Sequence, residues 1–272
     1  MRVYVSVTSI SSRLETLRLT IESLLQQSYT PDKIFINLSR DAYLFDEGVS
    51  VLPDWLRGIE GDLVSIHWCD NIGPYRKLIP IISEFEPDDN IVICDDDVEY
   101  HKEWLNSLLL TSKAHEDDII CIQARKVPSF LFWRPSYLFW PLTKTGGKKS
   151  RVLPIGVGGV LYKKRFFNIK ALLDSGFKKT APTTDDLWFW QTAMNTDRVY
   201  VVNSPYPLFR VFDVGPNSLT SINVTSSGNL STYIQRKIIH IYGLLGGKIV
   251  TNDHSFARIK KYLIKYDNRK FK

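Results

Sequence analysis

The sequence predicts an α/β fold built on a doubly wound, mostly parallel sheet flanked by helices. Three observations predict it. Short apolar runs rich in Val and Ile alternate with segments whose Leu and Ile recur at helical spacing. Each connection is long enough for a crossover, and strand–helix–strand crossovers join parallel strands with a right-handed turn. One apolar run, Asn90 to Cys94, passes directly into three carboxylates, Asp95, Asp96 and Asp97. In open parallel sheets ligands bind beyond the carboxyl ends of the strands, so the position of the triplet marks it out.

The elements follow in order. Val3 to Ser9 is a β-branched strand, and the next segment sets Leu14, Leu17, Ile21, Leu24 and Leu25 on one helical face. Pro31 breaks that helix, and Ile34 to Ser39 reads as a second strand, completing a strand–helix–strand unit. Leu63 to Cys69 is a third strand. The run YRKLIPIISEF is expected to be a short helix despite Pro80, and Asn90 to Cys94 is the fourth strand. Lys102 to His115 has the period of an amphipathic helix, and DIICIQA that of a fifth strand. IGVGGVLYKKRFF reads as a glycine turn entering a strand. Thr183 to Asn195 reads as a helix with Thr184 or Asp185 as its N-cap, and RVYVVN as a last strand. Pro216 to Gly228, rich in Asn, Ser and Thr, is expected to be mobile.

The 272 residues suffice for one large domain, divided here into a first half (1–100), a second half (101–215) and a helical tail (216–272). The formal charge of +6 suits anionic partners, and much of the excess lies in the basic stretch from Ser255 to Lys272. Cys69, Cys94 and Cys121 fit neither a metal spacing nor a disulfide framework, which points to a reducing compartment. The opening MRVYVSVTS reads as a strand, not a signal peptide, and no window is apolar enough to span a membrane. A cytoplasmic place is expected, with a possible peripheral one on the inner face of a membrane. The aromatic and basic stretch Phe130 to Arg151 could stack bases, but it carries no motif of a nucleic-acid module, so no nucleic-acid partner is expected.

Three adjacent carboxylates raise one another's pKa or recruit a cation. In extended backbone Asp95 and Asp97 project to one side and Asp96 to the other, so the outer pair can share one hard divalent ion, Mn²⁺ or Mg²⁺. The plainer alternative is a solvated acidic turn before a helix. Glycines 156, 158 and 159 can serve a turn or let backbone approach a ligand.

VYVSVTSISSRLETLRLTIESLLQQSYTPDKIFINLS resembles the opening of GT-A glycosyltransferases of the family 2 and exostosin-like types. NIVICDDDVEY is similar to their strand and DxD element, IGVGGVLYKKRFF to their mid-domain glycine segment, and TTDDLWFWQTA to their acidic helix start. The likeness runs from Val3 to Asn203 and lacks the Q-x-x-R-W helix of processive synthases. It implies a metal-dependent hexosyltransferase that uses a UDP-sugar to glycosylate a glycan or lipid-linked acceptor in bacterial surface-polysaccharide synthesis. By the same resemblance Thr8, Ser9 and Arg13 would line the base and ribose pocket, and Arg76 and Lys77 would contact the nucleotide. Asp95 would hold ribose or metal and Asp97 metal, with Asp96 assisting. Asp185 and Asp186 would lie at the acceptor hydroxyl, Asp186 favoured as base in an inverting enzyme, whereas a retaining enzyme would use a nearby residue to position the acceptor or stabilise the transition state; His254 could be a late metal ligand. Plainer roles stand beside these: Arg13 at a helix start, Arg76 and Lys77 as a solvated pair, Asp185 and Asp186 as caps.

Three rivals are weighed. A haloacid-dehalogenase-type phosphatase needs Thr or Val where Glu99 stands, and a nucleotidyltransferase needs a Gly-rich loop where TSISSRLE stands. A non-catalytic protein binding a nucleotide sugar or an anionic surface would not need the intact triplet. In the tail, Phe256, Ile259, Leu263 and Tyr266 form a stripe among Arg258, Lys260, Lys261 and Lys265, a pattern that could lie on an anionic leaflet or pack on the domain.

Overall fold

The computed structural model describes residues 1–128, 135–143, 146–194, 197–212, 242 and 244–266. Its centre is an eight-stranded sheet in the order β3-β2-β1-β4-β10-β6-β11-β8. β1 is Val3–Thr8, β2 Lys33–Leu38, β3 Val64–Trp68, β4 Asn90–Cys94, β6 Ile119–Cys121, β8 Gly147–Lys149, β10 Val160–Lys163 and β11 Val199–Val201. β1 pairs in parallel with β2 and β4, β2 with β3, and β6 with β11. β10 runs antiparallel to both β4 and β6, and β8 antiparallel to β11. The sheet is therefore mostly parallel, as expected, with two reversed strands that alternation alone does not reveal. Two small ribbons stand outside it: β5 (Val98–Tyr100) with β12 (Phe209–Val211), and β7 (Ala124–Lys126) with β9 (Val152–Pro154).

β1, β2 and β4 are buried almost throughout, the mark of strands covered on both faces. On one face α1 (Leu14–Leu25) and α3 (Trp104–Ala114) lay Leu17, Ile21, Leu24, Leu105 and Leu108 against Val5, Val7, Ile34 and Val92. On the other, Tyr75, Leu78, Ile81 and Phe85 join α6 (Asp185–Thr192), from which Leu187, Trp188 and Phe189 enter the core. A short helix, α2 (Asp54–Ile59), follows β2, and α4 (Ile169–Leu172) and α5 (Phe177–Thr180) precede α6.

The segment expected as a helix around Pro80 forms two 3₁₀ turns instead, Gly73–Lys77 and Ile79–Glu84. Pro74 and Pro80 cannot donate backbone hydrogen bonds, and short 3₁₀ turns tolerate the loss. The final helix, α7 (Thr251–Leu263), is part of the domain rather than a free tail. Ile259 is fully buried, Leu263 nearly so, and Phe256 packs edge-on to Trp140 at 5.4 Å. Asp174 anchors the end of α7 by accepting from the Tyr262 hydroxyl, the Tyr266 hydroxyl and Lys265. The apolar stripe is thus spent on the protein core and is not offered to a leaflet. The stretch Pro216 to Gly228 lies outside the described residues, as does part of Phe130 to Arg151. Among the described residues no helix is long and apolar enough to cross a membrane.

Candidate active site

Five segments far apart in sequence converge beyond the carboxyl end of β4. Strand geometry delivers Asp95, Asp96 and Asp97, and β10, inserted beside β4, carries the preceding turn Gly156–Gly158 to the same place. The Tyr100 hydroxyl ties the two together: it accepts from the Asp95 N–H at 3.1 Å and donates to the Val157 carbonyl at 3.1 Å. The N–H of Gly156 donates to both carboxylate oxygens of Asp186 at 3.1 Å. A β-carbon at Gly156 would lie 2.9 Å from Asp186 Oδ1 and 3.5 Å from Asp95 Oδ1, so glycine is what lets these two acids approach. At Gly159, with φ +90, a side chain would strike the Trp104 ring.

Lys77 is the hub. Its buried ammonium pairs with Asp95 Oδ1 and lies 3.4 Å from Asp185 Oδ2, joining the strand-end acids to the start of α6. Burial opposes that charge, yet Asp185 and Asp95 hold the ammonium well above its ordinary pKa. Arg13, on the turn after β1, reaches Asp96 Oδ1 at 2.8 Å and Asp97 Oδ2 at 2.6 Å. Asp96 also accepts from the Ser9 hydroxyl, and its inward position pushes its pKa up to about 6 against the pull of Arg13. The alternation expected of extended backbone therefore holds for burial, Asp96 being more enclosed than Asp95 or Asp97, while Arg13 spans two of the three.

Burial also raises the pKa of Asp185 and of Asp97 from the ordinary value. Asp186 is pushed up to about 8, first by burial and then by the neighbouring charge of Asp185. Two buried acids side by side, only one of them paired with Lys77, divide into a charged partner and an acid–base group. Neither caps α6 in the expected way: Thr184 is the N-cap residue, its hydroxyl makes no capping bond, and the two acids occupy the first turn.

The other residues singled out from sequence fall into two sets. Thr8 and Ser9 sit at the site's floor with their hydroxyls committed, Thr8 to the Asn37 carbonyl at 2.7 Å and Ser9 to Asp96. Arg76 does not present itself to the cleft. Its side chain is 1% exposed and is bound to Asp46 Oδ2 and the Ser9 carbonyl, each at 2.9 Å, so it braces the loop after β2 against the floor. Asp46, Tyr100 and the Gly156 N–H are site-shaping groups that sequence reasoning passed over.

Among the described residues no three His, Cys, Asp or Glu side chains come together as a closed metal cage, and His254 is exposed on α7. Mn²⁺ or Mg²⁺ commonly takes only one or two carboxylates and completes its shell with phosphate and water. Asp95 Oδ2 and Asp97 Oδ1 have no hydrogen-bond or ion-pair partner among the described residues, while Lys77 and Arg13 hold the opposite oxygens. That donor set fits an open site of this kind.

The sequence matches no family model and no curated protein. Solved structures do match. TarS 1–349 of S. aureus in complex with UDP-GlcNAc has a TM-score of 0.52 at 15% identity, over 99% of this chain and 72% of that one. The same protein without that ligand scores 0.51 at 12% identity, over 98% and 73%. The 4-diphosphocytidyl-2C-methyl-D-erythritol synthase of Anaerococcus prevotii scores 0.50 at 12% identity, over 86% and 96%. This chain covers 37% of the longer TarS structure. At such identities the likeness is one of fold, and that fold is the GT-A type.

Proposed function

We propose that this protein is a glycosyltransferase that moves a sugar from a UDP-sugar to a hydroxyl of a glycan or lipid-linked acceptor in surface-polysaccharide synthesis. The observation that supports this most is the meeting of the Asp95–Asp97 strand end with Asp186 across Gly156. It sets an anion-and-cation cluster beside a high-pKa carboxylate in one cleft. TarS, similar in fold, is described with UDP and with UDP-GlcNAc, which favours a uridine nucleotide over other donors.

In this reading Asp97 and Asp95 would hold Mn²⁺ or Mg²⁺ through Oδ1 and Oδ2, the oxygens opposite those that Arg13 and Lys77 bind. A divalent ion there supplies positive charge to the donor diphosphate. The remaining work falls to the chain's own groups. Lys77 and Arg13 keep the acids ionised and add positive charge beside the leaving group. Thr8 and Ser9 shape the floor under the nucleoside. Asp186 accepts the proton of the acceptor hydroxyl as that oxygen bonds to the anomeric carbon and the carbon–phosphate-oxygen bond breaks. A base in this position gives a single displacement with inversion. The Gly156 N–H steadies the carboxylate that must be ionised for the step, and Asp185, paired with Lys77, stays charged and keeps Asp186 basic.

A second reading, nucleotidyl transfer, has the cytidylyl-type synthase of similar fold in its favour. The absence of a Gly-rich phosphate loop from Thr8 to Glu15 tells against it. Thermal unfolding with UDP, CTP and Mn²⁺ separates the two. The glycosyltransferase reading expects stabilisation by UDP that requires metal, and preference for CTP would overturn it.

A further inference from the structure

The described residues also line an open pocket of about 450 Å³ away from the candidate active site, between the Pro135–Trp140 turn, the Gly246–Lys248 turn and one side of α7. Trp140, Phe256 and Ile264 supply its apolar surface, and Lys248, Lys260 and Lys261 stand around it. All three lysines are exposed, and none has an ion-pair partner among the described residues. The acid in the lining, Asp253, is already committed. It accepts from the Ser136 hydroxyl and the Tyr137 N–H at 2.6 Å, and from the Ile249 and Val250 N–H groups at 2.9 and 3.0 Å. With three lysines against one carboxylate, the described lining carries net positive charge above an apolar floor. Beside it Ile264 is 54% exposed and Leu245 68% exposed, apolar groups that continue the floor onto the surface.

We propose that this cavity binds the headgroup of an anionic phospholipid, so that the Gly246–Lys248 end of the domain docks on a bilayer. Charge complementarity selects the occupant. Three lysines around one opening suit a phosphate, and the apolar floor suits the first carbons of an acyl chain. Leu245 and Ile264 would enter the interface beside it. The volume lies within the range of small-molecule sites. Phe256 of the α7 stripe borders this cavity, whereas Ile259 and Leu263 are consumed in packing, and the charge comes from the lysines of that helix and of the preceding turn. The inference stands whether or not the cleft transfers sugar.

Co-sedimentation of the full chain with vesicles tests it. Binding is expected to vesicles of phosphatidylglycerol and phosphatidylcholine, to weaken with salt, and to be weak on phosphatidylcholine alone. The triple variant Lys248→Gln, Lys260→Gln, Lys261→Gln should lose roughly a hundredfold in partitioning, whereas Lys102→Gln with Lys113→Gln, exposed on or before α3, should lose much less. Leu245→Asp with Ile264→Asp should weaken binding in the otherwise intact protein. UDP binding by the triple variant, followed in parallel, should equal wild type, which separates this site from the cleft. A wild-type protein that stays in the supernatant at low salt overturns the proposal, as does a triple variant that sediments like wild type. Equal binding to both kinds of vesicle also overturns it.

Discussion

Replacing Lys77 by Met removes the positive charge that pairs with both Asp95 and Asp185. At 3.4 Å the Lys77–Asp185 attraction is about 5 kcal/mol for an effective dielectric of 20. The cost of burying the ammonium offsets part of it, and removing one member of a buried pair costs about 3–5 kcal/mol in practice. The carboxylates set a ceiling, because an acid left alone can take up a proton. Holding an ordinary carboxylic acid neutral at pH 7 costs about 4 kcal/mol, and less for Asp185, whose pKa burial has already raised. A loss of about 3 kcal/mol is therefore expected near pH 8, or roughly 6–12 °C in Tm for a domain of this size. The sign with pH follows from the same reasoning. In the variant the folded state binds more protons than wild type, so the deficit grows as pH rises and shrinks by up to about 1.4 kcal/mol per unit on descent toward pH 5. Urea unfolding of both proteins at pH 5, 6.5 and 8 measures this. Equal stability at pH 8, or a deficit that does not change with pH, refutes the description of Lys77 as the counter-charge of the cluster.

Four further outcomes are expected from the site and the packing around it. Asp186→Asn should lower transfer by about 10²–10⁴-fold while UDP affinity stays within twofold of wild type, read by product release and by titration calorimetry. In wild type, kcat/KM should climb with pH through about 8, where the Asp185–Asp186 pair gives up its proton, and the variant should lack that limb. Arg76→Met should cost about 3–5 kcal/mol in denaturant unfolding and leave the UDP affinity of the folded protein near wild type, because the residue is a brace. Ile259→Ala should cost about 2–4 kcal/mol, since α7 is core; a loss under about 0.5 kcal/mol would mean that the helix is peripheral.

How far the sequence speaks depends on whether a signal is local. The strand that ends at Cys94 was legible because burial on both faces writes an uninterrupted apolar run, and the acids after it break that run abruptly. The Leu17, Ile21, Leu24 stripe of α1 was legible because burial of one helix face sets an apolar residue at every third or fourth position. The helix Asp54–Ile59 was not, being too short to show a period. The stretch Tyr75 to Phe85, which forms 3₁₀ turns, was read as helix because Leu78, Ile81 and Ile82 mimic its spacing. At the site, residue types were legible and partnerships were not. Arg76 and Lys77 are adjacent and alike in sequence, yet one is locked onto Asp46 and the other joins Asp95 to Asp185. That difference depends on the loop after β2 and the start of α6 lying on different sides of the Gly73–Lys77 turn, a long-range arrangement with no trace in local periodicity. The stripe of α7 shows the converse limit: a pattern that fits a membrane face fits a protein core equally well.

The central claim is sugar transfer from a UDP-sugar at the cleft formed by Asp95–Asp97, Lys77 and Asp186. Release of UDP from a panel of UDP-sugars, followed with Mn²⁺, with EDTA, and for Asp97→Ala, tests it most directly. The account predicts turnover of at least one donor by wild type with Mn²⁺, with loss of about a hundredfold or more in EDTA and in the variant. Full turnover in EDTA, or no turnover of any UDP-sugar alongside pyrophosphate release from a nucleoside triphosphate and a phosphorylated acceptor, would contradict it.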